Sequence, residues 1–164
     1  MSIEIVELEG EPLLEACVGV IRESFATVAT ARGLTEAAAP THPSFMTVER
    51  LRGLRGRGAR LFALLDGGRV LGCAALEASR HPGVSYLERL AVLPAERHRG
   101  HGRALVAHVA RAARAAGAQV LSIGIIDDEV VLKRWYEAQG FAVTGTRRFE
   151  HLPFTVCYME LGLE

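Results

Sequence analysis

Lysine is all but missing from this chain of 164 residues: Lys133 stands alone, and the other 18 of its 19 basic residues are arginine. They face 19 Asp and Glu, so the formal net charge is zero. A protein that tracks a phosphate backbone carries a strongly basic face, and this balance argues against nucleic acid as a partner. Cysteine is scarce too. Cys17, Cys73 and Cys157 are odd in number and far apart, which leaves no disulfide framework and no CxxC metal pair. No apolar run reaches the ~18–20 residues of a membrane span, so no membrane partner is expected. Residues 1–10 alternate apolar and acidic side chains rather than following a basic stretch with an apolar one, as a signal peptide does. These absences point to a reduced, cytoplasmic protein. A disordered chain is excluded by 49% hydrophobic against 23% charged residues, and the length suits one domain, residues 1–164.

Several reaction motifs are absent as well. A P-loop needs Gly-Lys-Ser/Thr, and the only lysine lies elsewhere. A dinucleotide fingerprint needs a third glycine where Leu105 stands. There is no Gly-x-Ser-x-Gly and no Cys-His pair close in sequence, so nothing suggests an acyl-enzyme. No metal site is expected, because a His98-x-x-His101 pair with no carboxylate partner is not a convincing ligand set.

The residues that are present fall into alternating elements. Ile3 to Leu8 reads as a strand, and Leu13, Leu14, Cys17, Val18, Ile21 and Phe25 recur at helical spacing. A loop marked by Gly33, Pro40 and Pro43 precedes a short helix near residues 47–55. Residues 61–66 and 69–77 flank Gly67-Gly68 as a hairpin. A strand over 86–93 leads to a helix over 100–116, a strand over 120–126 to a helix over 129–139, and strands over 141–149 and 154–161 close the chain. Hairpins combined with two strand–helix–strand passages imply an α/β fold, with a mixed, mostly antiparallel sheet of about seven strands flanked by helices.

The most informative segment joins the strand over 86–93 to the following helix through Arg97, His98, Arg99, Gly100, His101, Gly102 and Arg103. Glycines let the backbone turn tightly and approach a ligand. The first amides of a helix are unpaired donors, and its dipole places roughly half a positive charge there. This is an anion site of the kind that holds a pyrophosphate. Read without its context, the segment is an Arg-rich solvated loop, and Gly56-Arg57-Gly58 has the same glycine spacing. The strand before it and the helix after it are the context that anion binding needs.

Leu90-Ala91-Val92-Leu93-Pro94 followed by Arg97-x-x-Gly100-x-Gly102-x-x-Leu105 resembles the acyl-CoA-binding motif of the GCN5-related N-acetyltransferase (GNAT) family. Leu132-x-x-x-Tyr136-x-x-x-Gly140-Phe141 resembles the same family's second motif, in the right order and with a strand between. The resemblance covers about residues 60–145. It implies an acyl-CoA N-acyltransferase-like fold in which acetyl-CoA, as co-substrate, lies between splayed parallel strands over 86–92 and 120–126. The pantetheine arm would pair with Leu90, Ala91 and Val92, and the pyrophosphate would rest on amides from Arg97 to Arg103.

The resemblance also implies roles in acetyl transfer to a primary amine on a small molecule or peptide. Tyr136 matches the family's general acid for the leaving thiolate; its other reading is helix packing on the flank of a stripe formed by Val131, Leu132, Trp135 and Ala138. Glu88 matches a general-base position. Strict alternation puts it on one face with Tyr86, Leu90 and Val92, where burial would raise its pKa; its other readings are pairing with an arginine or facing solvent. The chain departs from the family at Glu129, where many members carry an Asn that contacts the CoA arm, and at Gly124, where some carry a Glu. Asp127 and Asp128 read as caps of the next helix. Glu150 and His151 occupy a turn that shapes acceptor sites in the family. A non-catalytic acyl-CoA-binding module and an unrelated nucleotide-phosphate binder are the competing functions. The terminal strands are compatible with a homodimer.

Overall fold

The computed structural model describes residues 2–164. The chain runs β1 (Ile3–Glu7), α1 (Leu14–Arg32), α2 (Val48–Gly56), β2 (Arg60–Asp66), β3 (Arg69–Ala78), β4 (Val84–Val92), α3 (His101–Ala115), β5 (Val120–Ile126), α4 (Val130–Ala138), β6 (Ala142–Arg148) and β7 (Thr155–Gly162). This is the element order expected from the sequence. The helix α1 extends seven residues past the last apolar signal at Phe25. Its final segment, Ala26–Arg32, is built of small and polar residues that carry little periodicity. Gly33 ends it in the left-handed region at φ 63°, its amide bonding back to Ala29 and Thr30.

The seven strands form one sheet in the order β1-β2-β3-β4-β5-β7-β6. Every neighbouring pair is antiparallel except β4 and β5. One face packs α3 through Leu105, Val106 and Val109 against Phe62, Leu64, Leu71, Leu87 and Leu121. The other packs α1 and α2 through Leu14, Cys17, Ile21 and Leu51 against Leu61, Ala63, Cys73, Ala75 and Ala91. Two layers of helix on one sheet thus bury both of its faces over β2–β4, which explains why β2 and β3 read as continuous apolar runs.

Two irregularities of β4 shape the surface on either side of it. The parallel β4–β5 pair lasts only three residues, Val84–Tyr86 against Val120–Ser122. From Leu87 onward the edge of β4 toward β5 has no strand partner, while β5 continues paired to β7 alone. The splay expected between these strands is therefore present. In the β3–β4 pair, Ala75 opposes Glu88 but Cys73 opposes Ala91, so β4 carries an extra residue. Arg89 absorbs it in the left-handed region at φ 51°, a β-bulge that re-aims the chain on either side.

Candidate functional site

The bulge corrects the face assigned to Glu88. Directly opposed residues share a face of a sheet, and Ala75, opposite Glu88, belongs to the α1-side core. Leu90 and Val92 pack instead with the α3-side core. Glu88 therefore shares its face with Tyr86 but not with Leu90 or Val92, because the alternation resets at Arg89. Period-two counting has no means of seeing an inserted residue. Glu88 is half-buried and ion-paired with Arg89, whose Nε is buried without a partner.

Glu77 lies on the same face, two residues along β3 from the partner of Glu88. Burial, the Glu88 carboxylate that shares its hydrogen bond, and that group's negative charge push the Glu77 carboxyl up to about 7. Like charges this close disfavour double ionisation, so the pair holds a proton near neutrality. Sequence reasoning passes over Glu77. The available signal is a carboxylate late in the apolar run of β3, matched by a second one in β4.

Beside the pair a cavity of about 490 Å³ opens, bounded by the α2–β2 turn and the β3–β4 hairpin. Glu77, Tyr86 and Glu88 form its half-buried floor, and Arg57, Arg80 and His81 its exposed rim. The hairpin is held in shape by Ser79: its hydroxyl accepts from the His81 amide and donates to the His81 carbonyl, both at 3.0 Å.

At the other end of β4, Pro94–Glu96 make a helical turn and His98 (φ 64°) and Gly100 (φ 83°) adopt left-handed backbone before α3 begins. No side chain caps α3, and its first turn, starting at His101, therefore presents free amides. The nearby arginines are mostly engaged elsewhere. Arg97 donates to the Ser24 carbonyl at 3.0 Å and to the hydroxyls of Ser24 and Thr27 on α1. Arg99 pairs with Glu96 at 3.3 Å. The donors this segment leaves free are thus chiefly backbone amides. His98 and Arg103 are exposed beside them, whereas His101 is buried with Nε2 unpartnered. Gly102 sits under Trp135: a Cβ there would meet the indole at 3.2 Å, so the glycine lets α4 close against the start of α3.

Tyr136 is the buried residue of α4, at 6% exposure, while Val131 is 81% exposed and Leu132 37%. Of the stripe expected through Val131, Leu132, Trp135 and Ala138, Trp135 packs on the core while the other three face outward, and Tyr136, expected on its flank, faces the core. Edge-on contacts of Tyr136 with Phe141 (5.3 Å) and Trp135 (4.9 Å) fix that rotation. Burial raises the phenol well above its ordinary value, so the hydroxyl stays protonated at neutral pH. Asp127 and Asp128 do not cap α4, since the helix start has no side-chain cap. Asp127 pairs with Lys133 at 3.1 Å, and Arg32 at the end of α1 clamps both Asp128 and Glu129. Glu129 thus joins α1 to the β5–α4 turn. Gly124 leaves room for the side chains of Val156 and Tyr158 on β7, which a Cβ would meet at 3.3 and 3.5 Å. Glu150 and His151 stay in an exposed turn, where the histidine ring packs at 5.6 Å from Phe149. Cys73 and Cys157 are buried and unpaired. Among the described residues no group of His, Cys, Asp and Glu has metal-holding geometry, and no helix is long and apolar enough to cross a membrane.

Comparison with known proteins agrees with this geometry. The family model described as acetyltransferase (GNAT) family matches residues 27–141, reaching back into α1 beyond the segment where the sequence motifs are visible. An amino-acid acetyltransferase from Pseudomonas putida is 30% identical over 130 residues, covering 79% of this chain and 29% of the relative. The chain thus spans less than a third of the length of that relative. Among solved structures, the PaiA N-acetyltransferase of Thermoplasma acidophilum, in complex with coenzyme A, superposes with TM-score 0.77 at 18% identity, over 99% of both chains. The ribosomal-protein-S18-alanine N-acetyltransferase of Escherichia coli gives 0.77 at 18%, over 99% of this chain and 95% of that one. At these identities the structural likeness shows the fold.

Proposed function

The chain belongs to the acetyltransferase (GNAT) family and is by that membership an acyltransferase; from this premise we propose that it transfers the acetyl group of acetyl-CoA to a primary amine by direct attack. One observation carries the reading: β4 parts from β5 after Tyr86, its free edge leading to the uncapped amides of α3. A free edge accepts an extended amide-bearing arm as it would a strand, and Leu90, Ala91 and Val92 supply that edge. Backbone amides from Arg97 to Arg103 would take the pyrophosphate, with Arg103 and His98 exposed beside them. The coenzyme A complex of the Thermoplasma neighbour supports this cofactor class.

The acceptor would approach from the α1 side, where Glu88 lies one residue before the bulge. An amine arrives as its ammonium and must lose a proton before it can attack. The Glu77–Glu88 pair, with one carboxyl near 7, is matched to take it at neutral pH. The nitrogen then bonds the thioester carbonyl carbon, the carbon–sulfur bond breaks, Tyr136 donates its phenolic proton to the departing thiolate, and the proton that the nitrogen sheds as it becomes the amide restores the phenol. The reading takes residues 1–164 as one catalytic unit, because the sheet is continuous from Ile3 to Gly162. It places that unit in the reducing cytoplasm, which three unpaired buried cysteines support.

Calorimetric titration with acetyl-CoA, with ATP as control, tests the cradle. Binding specific for acetyl-CoA, followed by thiol release with an amine, is the expected result. Equal or absent binding of both ligands would overturn the reading.

A further inference from the structure

We infer that the acceptor is a small amino carboxylate, an amine carrying an anionic group at its far end, held with its ammonium on Glu77 and Glu88 and its anion at the basic rim formed by Arg57, Arg80 and His81. The inference rests on the acetyl-transfer reading, which fixes which end of the acceptor is innermost.

The charge order in the cavity carries it. Its floor is acidic and half-buried, its rim basic and exposed. An acceptor entering from solvent passes the basic rim before its amine reaches Glu88, beside the bulge. A second ammonium on the same molecule would be left against two guanidinium groups, whereas a carboxylate would find them. Arginine presents a planar fork suited to a carboxylate. Arg57 is set in place by α2: its guanidinium lies over Gly53, where an added Cβ would be 3.1 Å from Nη1. Arg57 also acts electrostatically on Glu77, which ties rim and floor into one field. Arg80 and His81 are presented by the hairpin turn that Ser79 pins. About 490 Å³ admits an acceptor of metabolite size.

The test uses the full chain and sets of acceptors matched in length, in which an α-, γ- or ε-amino carboxylate is compared with the corresponding alkylamine and diamine, by thiol release with acetyl-CoA. The expected result is kcat/KM at least ten times higher for one amino carboxylate than for its matched diamine. The R57Q/R80Q double variant should collapse that ratio toward unity, and R114Q, which removes an arginine at the far end of α3, should preserve it. Preference for diamines, equal use of alkylamines, or no turnover of any amino carboxylate despite acetyl-CoA binding would overturn the inference and leave the cofactor reading standing. Failure to bind acetyl-CoA would overturn both.

Discussion

Glu77 and Glu88 face the same cavity from adjacent antiparallel strands, diagonal to one another across the β3–β4 pair. Their shared proton has consequences for stability and for rate, and the two are separable. The folded-state carboxyl of Glu77 lies above its ordinary value, so the folded protein binds more protons than the unfolded chain between about 4.5 and 7. Stability should therefore fall as pH rises through that window. The Glu77→Gln variant should be more stable than the parent at pH 8, on the order of 1 kcal/mol once solvent screening at this half-buried site is allowed for, and no more stable at pH 5. Thermal unfolding of both proteins at the two pH values checks this; an equal shift at both would remove the shared proton from the account.

The same pair sets the expected pH–rate profile. A base that must be ionised to take the ammonium proton gives a kcat/KM that rises with pH through about 7, the value for Glu77. In Glu77→Gln the carboxyl that titrates near 7 is gone, and the rising limb it sets should be lost. Glu88→Gln should lower kcat by about 100-fold across the range. An unmoved limb in Glu77→Gln would assign the titration to the substrate amine alone.

Tyr136→Phe keeps the ring that packs on Phe141 and Trp135 and removes only the hydroxyl. We expect melting temperature and acetyl-CoA affinity close to the parent, with kcat lower by about 100-fold. Tyr136→Ala should instead destabilise by about 3–5 kcal/mol, since it empties a buried aromatic site. Unchanged turnover in Tyr136→Phe would return the residue to a packing role and remove it from the mechanism as general acid.

The contrast between Tyr136 and Glu77 shows how far the residues alone make the site legible. Element order can be read, because it rests on local signals: apolar period, turn glycines and helix starts. The splay of β4 from β5, which ends their pairing at Tyr86, is implied by the family resemblance and by no local signal. The face of Glu88 cannot be read. It depends on one inserted residue at Arg89, which is defined only by the register against β3. The orientation of α4 escapes a sequence reading for a related reason. Its nine residues carry an apolar stripe, but the docked face follows the contacts of Tyr136 with Phe141, which follows the helix, and the clamp of Arg32 on Glu129 from a helix 97 residues away. Glu77 is hidden because its partner lies on another strand, and pairing across strands is not written in either strand alone.

Gly102 offers a test of the cradle that leaves the reacting groups in place. A side chain there would press on Trp135 at 3.2 Å and on Val92 at 3.8 Å, forcing α4 away from the start of α3. In Gly102→Val we expect KM for acetyl-CoA to rise about tenfold or more, with a smaller effect on kcat. Calorimetry should show the same loss for CoA without the acetyl group. An equal affinity for both proteins would mean that closure of α4 over this glycine plays no part in binding.

Gly72 couples the core to that cradle. A Cβ at this position would meet the Leu105 methyl at 2.9 Å and the Ala91 carbonyl oxygen at 3.0 Å. Leu105 is fully buried on α3, and Ala91 is held in register opposite Cys73, so neither neighbour yields freely. Gly72→Ala should cost about 1–3 kcal/mol by overpacking, read as a fall in melting temperature of about 2–4 °C per kcal/mol for a chain of this size. Leu105→Val in the same chain should recover part of that loss, because it withdraws one of the two obstructing groups. The carbonyl contact remains, and a displaced Ala91 would disturb the β4 edge proposed to pair with pantetheine. The double variant should therefore regain stability while retaining a raised KM for acetyl-CoA. Full recovery of both would show that Gly72 serves helix packing alone.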